Sequence, residues 1–347
     1  MARRSRDAHR VIRWLWTSRR IDARLARLAL LPLAGLYRAA MALRGRAYAR
    51  GFLEVRDLPL PSVSVGNLTV GGSGKTPIAI WIAKHYAARG VTPGVLLRGY
   101  GRDEVRVHEE AVPAAHVIAD PDRWAGSQRA LARGAEVLVL DDAFQRLDVR
   151  RDLNIVVLSA ESSAAVRWPL PAGPWREGLA ALARADAVIV TRKRATAEAA
   201  AALADELRRS FRGPVAVVHL GVTRYEGLVS RATTDPRRLS GRRVVAASAI
   251  GDPEAFVAQT KATGAAVQVA TWKDHHEYAD EDVAWLAHAA RRADYVVLTE
   301  KDAVKLRDRW PAGAPEPLVA ILDLKWEAGG ELVTTALDAV VTPVDRL

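Results

Sequence analysis

Residues 66–77 read Gly-Asn-Leu-Thr-Val-Gly-Gly-Ser-Gly-Lys-Thr-Pro, after a short apolar run and before an apolar helical pattern. Glycines let the backbone curl until successive N–H groups face one anion, and a helix that follows adds the positive end of its dipole. Thr69, Gly71, Gly72, Ser73 and Gly74 would then cradle a nucleotide phosphate. Lys75 would reach the β- and γ-phosphates, and the Thr76 hydroxyl would ligate Mg²⁺. The general pattern G-x-x-x-x-G-K-[ST] asks for Gly at position 69, where this chain has Thr. A bare GKT also arises in ordinary Gly-rich turns. Its place between strand and helix, with two further glycines, is what makes it a phosphate loop.

A second group of residues suits a cation. Residues 136–142 read Glu-Val-Leu-Val-Leu-Asp-Asp, an apolar strand ending in two carboxylates. A hard cation prefers oxygen ligands, and a carboxylate at the C-terminal edge of a strand points into the crevice that holds such a loop. Asp141 and Asp142 are therefore the metal-site candidates, the alternative being a pair that caps a helix. Side chains alternate along a strand, so the two cannot aim at one atom and should have different roles.

Two further segments carry proton-transfer chemistry. Arg98-Gly99-Tyr100-Gly101-Arg102-Asp103-Glu104 follows one apolar run, and Trp272-Lys273-Asp274-His275-His276 follows another. An Asp at the mouth of a phosphate site, with a His in reach, could deprotonate a substrate hydroxyl. Taken alone, Asp-His-His also reads as part of a metal cluster or as a surface turn.

These residues need a scaffold to position them. Apolar runs at 62–66, 94–98, 115–119, 136–141, 153–158, 187–191, 215–220, 244–249, 266–270, 294–298 and 318–322 alternate with helical patterns such as 77–89 and 282–292. Val/Ile/Leu runs without polar alternation suit strands buried on both faces of a parallel sheet. The expected fold is therefore α/β: a P-loop NTPase-like, doubly wound, mostly parallel sheet with a second, smaller α/β domain. A polar, Gly- and Arg-containing stretch at 222–242 suggests a division into 51–225 and 226–347.

Composition narrows the function classes. The 347 residues are 50% hydrophobic and 26% charged, as in a globular chain, and contain no cysteine. Disulfides, thiolate zinc sites, iron–sulfur clusters and cysteine nucleophiles are thereby excluded. The net charge of +11 comes from residues 1–50, which hold thirteen Arg, no Lys and two acids; the remainder carries 38 basic and 38 acidic residues. A neutral body is unlike a nucleic-acid-binding domain, so no nucleic-acid partner is expected. Within 1–50, Leu25, Leu28, Leu36, Ala40 and Leu43 recur at roughly helical spacing among Arg24, Arg27, Arg38 and Arg44, with Trp14, Trp16 and Tyr37 nearby. No signal-peptide pattern is readable, and the longest uncharged stretch, 28–37, is too short to span a bilayer and contains Pro32. The segment reads as an amphipathic helical element lying on an anionic membrane surface. A basic helix packed on the body, or one binding RNA non-specifically, is the alternative.

In order along the chain, SVGNLTVGGSGKTP, LLRGYG, DPDR at 120–123, VLVLDDAFQ, RDLNIVVL, LPAGPWRE at 170–177, DHHEY and VLTEKDAVKL at 297–306 resemble the tetraacyldisaccharide 4′-kinase family of lipid A biosynthesis. The family loop also carries Thr where a strict pattern has Gly. The resemblance implies ATP and Mg²⁺ as cofactors and an acylated disaccharide 1-phosphate as acceptor. It implies a peripheral, monotopic place on the cytoplasmic face of the inner membrane, with no obligate protein partner readable. It assigns Lys75 and Thr76 to ATP and Mg²⁺, Asp141 and Asp142 to the metal, Asp103 to the catalytic carboxylate and His275 to its partner. Arg123, Gln145, Arg176 and Glu177 match positions near the acceptor. Three places depart from the family pattern. The insertion usual before the catalytic Asp is missing and its Gly and Pro neighbours are absent, Leu97 stands where Ser is common, and Gly178 where Pro follows the Arg-Glu pair. The competing class is a membrane-associated P-loop GTPase or ATPase in targeting or assembly. Thr299-Glu300-Lys301-Asp302 places Lys one position too late for the guanine-reading N/T-K-x-D, which argues against that class.

Overall fold

A computed structural model describes residues 11–12, 14–18, 20–99, 101–163 and 167–342. Each apolar run expected as a strand forms one. They are β1 Ser62–Asn67, β2 Pro93–Leu97, β3 His116–Ala119, β4 Val137–Asp141, β5 Leu153–Ser159, β6 Ala187–Arg192 and β7 Val215–Gly227. After the two-residue β8 Thr233–Thr234 come β9 Arg243–Ser248, β10 Ala266–Thr271, β11 Tyr295–Thr299 and β12 Leu318–Ala328. They make one sheet in the order β10-β9-β11-β12-β7-β6-β5-β1-β4-β2-β3, with β8 added to β7. All pairings are parallel except β12 with β7 and β7 with β8.

Strands β1, β2 and β4 are fully buried; β2 and β4 are largely apolar, whereas β1 alternates Val with buried Ser62 and Ser64. The helix Lys75–Ala87 packs Ile78, Ile82 and Tyr86 into a core shared with Val333 and Leu337 of the helix Gly330–Val341. The opposite face is covered over β2 and β3 by the helix Arg123–Ala132 and over β6 and β7 by the helix Ala197–Arg208, through Ala200, Leu203, Ala204 and Leu207. β1 leads to β2 on one side and its neighbour β5 leads to β6 on the other, so the crevice at their C-terminal ends is a topological switch point.

Two strands outrun their expected lengths. β7 and β12 pair antiparallel over most of their length, and β7 runs through residues 225 and 226, where the composition suggested a division. Their extensions are polar, so an apolar pattern stops short of them; Arg224 there pairs with both Glu226 and Asp323. β10 also departs from expectation. It is the sheet edge and is largely exposed rather than buried on both faces.

Residues 1–10, 13 and 19 of the basic segment, and Tyr100, lie outside the described residues. Helices Ile21–Ala29 and Leu31–Ala49 are bent by 47° at their junction, where Pro32 sits in the first turn of the second helix. Ile21, Leu25, Leu28, Leu33, Leu36 and Leu43 face outward, and only Ala34 of the second helix is buried. Docking onto the body is polar: Trp16 Nε1 donates to Pro171 O at 3.0 Å and Arg44 to Gln145 O at 3.1 Å. No single described helix is long and apolar enough to cross a membrane, although the bent pair taken together passes by length and composition.

Candidate active site

β1 delivers the Gly-rich loop into the switch-point crevice. A side chain at Gly66 is impossible: a Cβ there would lie 2.4 Å from Phe144 Cβ. Gly74, at φ +90°, caps the helix Lys75–Ala87 and has no room for a side chain against Leu220. With no side chain capping them, the first-turn amides of that helix remain for an anion. Asn67 Nδ2 donates to Ser73 Oγ at 2.9 Å, Thr191 Oγ1 to Ser73 O at 2.7 Å, and Lys193 Nζ to Gly72 O at 2.8 Å, which together fix the loop from outside. Thr69 bridges Trp175 as extended chain, and Val70 N donates to Pro174 O at 2.8 Å. Position 69 thus needs no glycine conformation, which accounts for the departure from the strict pattern.

The register of β1 against β4 pairs Val65 with Asp141, setting that carboxylate beside the loop. Asp141 Oδ2 accepts from Thr76 Oγ1 at 3.0 Å, while its buried Oδ1 has no hydrogen-bond partner among the described residues. Burial pushes this carboxyl up. The hydrogen bond and charge of His108, the charge of Lys75 and the Thr76 hydroxyl outweigh it and hold the group below its ordinary value. A hydroxyl, an ionised carboxylate and an unpartnered oxygen suit a hard cation, so these residues fit Mg²⁺. No cluster of three or more His, Asp or Glu suited to a metal occurs among the described residues. A cation here would complete its shell with phosphate and water oxygens. Asp142 differs from its neighbour, as alternation requires. At φ +53° it turns to Lys75 (3.5 Å) and Arg176 (3.2 Å), so the metal assignment narrows to Asp141 and Thr76.

Asp103 opens the helix Arg102–Ala111, with Gly101 immediately before it. Despite the missing insertion, its Oδ2 lies 3.0 Å from His275 Nδ1, across 172 residues of sequence, and 3.1 Å from Lys305 Nζ. The Asp103 side chain is 3% exposed and that of His275 38%, so the imidazole is the cleft-side member. Burial raises the Asp103 carboxyl, but the hydrogen bond from His275 and the charge of Lys305 overcome it and hold it well below the carboxylate range. His275 is raised, first by its hydrogen bond to Asp103, against burial and with help from the Asp274 charge. His275 also sits at φ +58°, unusual for a side chain this large; such backbone persists where surroundings over-determine it.

Sequence reading missed Lys305 and His108. Lys301 and Lys305 share one face of the helix Glu300–Leu306 and meet Glu104 (3.5 Å) and Asp103, so the i, i+4 spacing in the KDAVK stretch was the available signal. His108 offered none. It is fully buried, with Nε2 3.3 Å from Asp141 Oδ2.

Of the residues expected near an acceptor, Gln145 donates to Asn67 O and Glu177, Arg176 meets Asp142, and Arg184 closes the ring onto Glu177. Arg123 does not belong with them. It is 1% exposed and donates to Leu97 O, Asp120 O and Asp141 O, bracing strand ends instead of facing an acceptor; burial lowers its guanidinium to about 10. Asp302 is likewise occupied, accepting from Tyr278 and the Ala249 amide, and does not face the cleft as a guanine reader would. One cleft of about 1570 Å³ joins the phosphate loop, Asp141, Arg176 and His275, and reaches Ile12 and Trp16 of the N-terminal segment.

Residues 26–342 match the family model described as tetraacyldisaccharide-1-P 4′-kinase. A curated tetraacyldisaccharide 4′-kinase from Anaeromyxobacter sp. (strain K) is 37% identical over 346 residues, covering 91% of each chain. Its counterpart from Aromatoleum aromaticum is 34% identical over 310 residues, covering 84% of this chain and 87% of the relative. The crystal structure of the "apo" form of LpxK from Aquifex aeolicus in complex with ATP has a TM-score of 0.72 at 27% identity, covering 91% of this chain and 100% of that one.

Proposed function

Because this chain belongs to the tetraacyldisaccharide 4′-kinase family, we propose that it transfers the γ-phosphoryl group of ATP to the 4′-hydroxyl of tetraacyldisaccharide 1-phosphate, giving lipid IVA for lipid A biosynthesis. The observation that carries this reading is the presence, in one cleft, of an uncapped phosphate loop with Lys75 and of His275, itself bonded to the buried Asp103. Lys75 neutralises charge on the β- and γ-phosphates, and the first-turn amides orient them. Thr76 and Asp141 would hold Mg²⁺, which supplies charge neutralisation at the phosphates when bound. The 4′-oxygen forms its bond to γ-phosphorus as the bond from γ-phosphorus to the β–γ bridging oxygen breaks. The hydroxyl proton passes to the Asp103–His275 pair, and ADP leaves. Arg176, Gln145 and Glu177 line the acceptor side.

Purified protein with ATP, Mg²⁺ and the acylated disaccharide 1-phosphate is expected to yield the bisphosphorylated lipid, detected by mass. Nucleotide hydrolysis with no phosphorylated lipid would overturn the assignment in favour of a P-loop NTPase.

The chain works as a peripheral protein on the cytoplasmic face of the inner membrane, held by its outward-facing leucines and interspersed arginines. Moving one Leu side chain out of water contributes about 1.5–3 kcal/mol, and an Arg near an anionic surface ~1 kcal/mol. Residue for residue, the leucine contribution is the larger. Leu25→Asp with Leu36→Asp is expected to weaken flotation with phosphatidylglycerol vesicles on the order of 10²-fold or more. Raised salt should weaken the unaltered chain less. Unchanged, salt-insensitive binding by the double variant would sink this reading.

A further inference from the structure

We infer that His108 is a positioning residue for the cation-binding carboxylate of Asp141, and that the helix Arg102–Ala111 thereby sets the metal site and the Asp103 carboxylate in one rigid frame. The inference rests on the reading that Thr76 and Asp141 hold Mg²⁺. His108 is 0% exposed, and its Nε2 lies 3.3 Å from Asp141 Oδ2. Thr76 Oγ1 donates to that same oxygen at 3.0 Å. Two donors on Oδ2 fix the rotation of the carboxylate and leave Oδ1, buried and without a hydrogen-bond partner, as the oxygen presented to a cation. In the Nε2–H tautomer His108 donates this bond. Its Nδ1 is buried without a partner among the described residues, so the contact to Asp141 is the one hydrogen bond recorded for this buried ring. A buried polar ring is costly unless satisfied, so packing alone does not account for a histidine at this place.

The same helix carries Asp103 five residues earlier, a rise of about 7.5 Å at 1.5 Å per residue. Asp103 is gripped by His275 and Lys305 from the C-terminal half, and His108 grips Asp141 at the end of β4. Spacing between the Asp103 and Asp141 carboxylates is therefore set through one helix.

Outer hydrogen-bond partners of metal ligands typically change metal affinity by about 10–100-fold when removed. The test is Mn²⁺ titrated into the ADP-bound full chain, followed by the electron paramagnetic resonance of free Mn²⁺, with no turnover involved. His108→Leu removes the donor. His108→Asn keeps a polar side chain whose amide is too short to reach Asp141. His108→Gln restores a donor at the Nε2 position. Leu and Asn variants are expected to bind Mn²⁺ about 10–100-fold more weakly, and the Gln variant within a few-fold of the parent. Asn carries the comparison if the Leu variant does not fold. Parent-like affinity in the Asn variant, or a Gln variant no better than Asn, would overturn the inference. Asp141→Asn separates the two layers: if it too binds Mn²⁺ like the parent, the metal assignment itself has failed. If Asp141→Asn loses Mn²⁺ while His108→Asn does not, only the positioning role has failed.

Discussion

Replacing Lys75 by alanine is expected to reduce phosphoryl transfer by on the order of 10³-fold or more while the chain still melts as a folded protein. Lys75 stands in the first turn of the helix Lys75–Ala87, its ammonium 3.5 Å from Asp142 and its side chain 15% exposed at the loop. Its packing contribution is small, but its charge is not replaceable. Without it, Asp141 and Asp142 face the β- and γ-phosphates with one cation fewer, so ground-state binding and transition-state neutralisation suffer together. Lys75→Arg keeps the charge but substitutes a planar fork for a compact point charge, and recovers activity only in part. Steady-state kinetics beside calorimetric melting checks both halves. Near-normal turnover in the Ala variant would remove the phosphate loop from the mechanism.

The second large effect is at the Asp103–His275 pair, whose imidazole is the cleft-side proton acceptor. Asp103→Ala should lower kcat by about 10²–10⁴-fold with ATP affinity nearly intact, because the carboxylate touches His275 and Lys305 and not the phosphate loop. His275→Ala should cost a similar or smaller factor. The double variant should fall short of the product of the two, since groups acting as a unit are non-additive. The pH profile supplies the sign. The hydrogen bond it donates to Asp103 raises His275 above its ordinary 6.5. An imidazole must be unprotonated to accept a proton, so kcat/KM rises as pH climbs through that raised value. Asp103→Asn removes the largest raising cause and moves the acidic limb to lower pH. An unmoved limb, or full activity in Asp103→Ala while Glu104→Ala or Asp274→Ala is inactive, would place the base elsewhere.

Chemistry carried by contiguous residues was legible without coordinates. The phosphate loop, its Lys and Thr and the paired acids at the end of β4 depend on local spacing alone. The strand–helix alternation is legible for the same reason: continuous Val/Ile/Leu runs report burial on both faces of a sheet. The concentration of basic charge in residues 1–50 is visible by counting. What tertiary structure decided is whatever depends on partners far along the chain. The antiparallel join of β7 and β12 runs into polar extensions held by partners distant in sequence, such as Arg224 with Asp323. Asp103 and His275 meet where the helix Glu300–Leu306 packs against the helix Arg102–Ala111, although β10 and β2 lie toward opposite edges of the sheet. Lys305 and His108 join the site for the same reason. Burial, too, is a property of the packed state. It withdraws Arg123 to brace three carbonyls, presents Asp141 to the Thr76 hydroxyl, and turns Asp142 toward Lys75 and Arg176. Residue type and spacing determine which groups can do chemistry, whereas desolvation and long-range contact, which exist only once the sheet has assembled, decide which of them do it together.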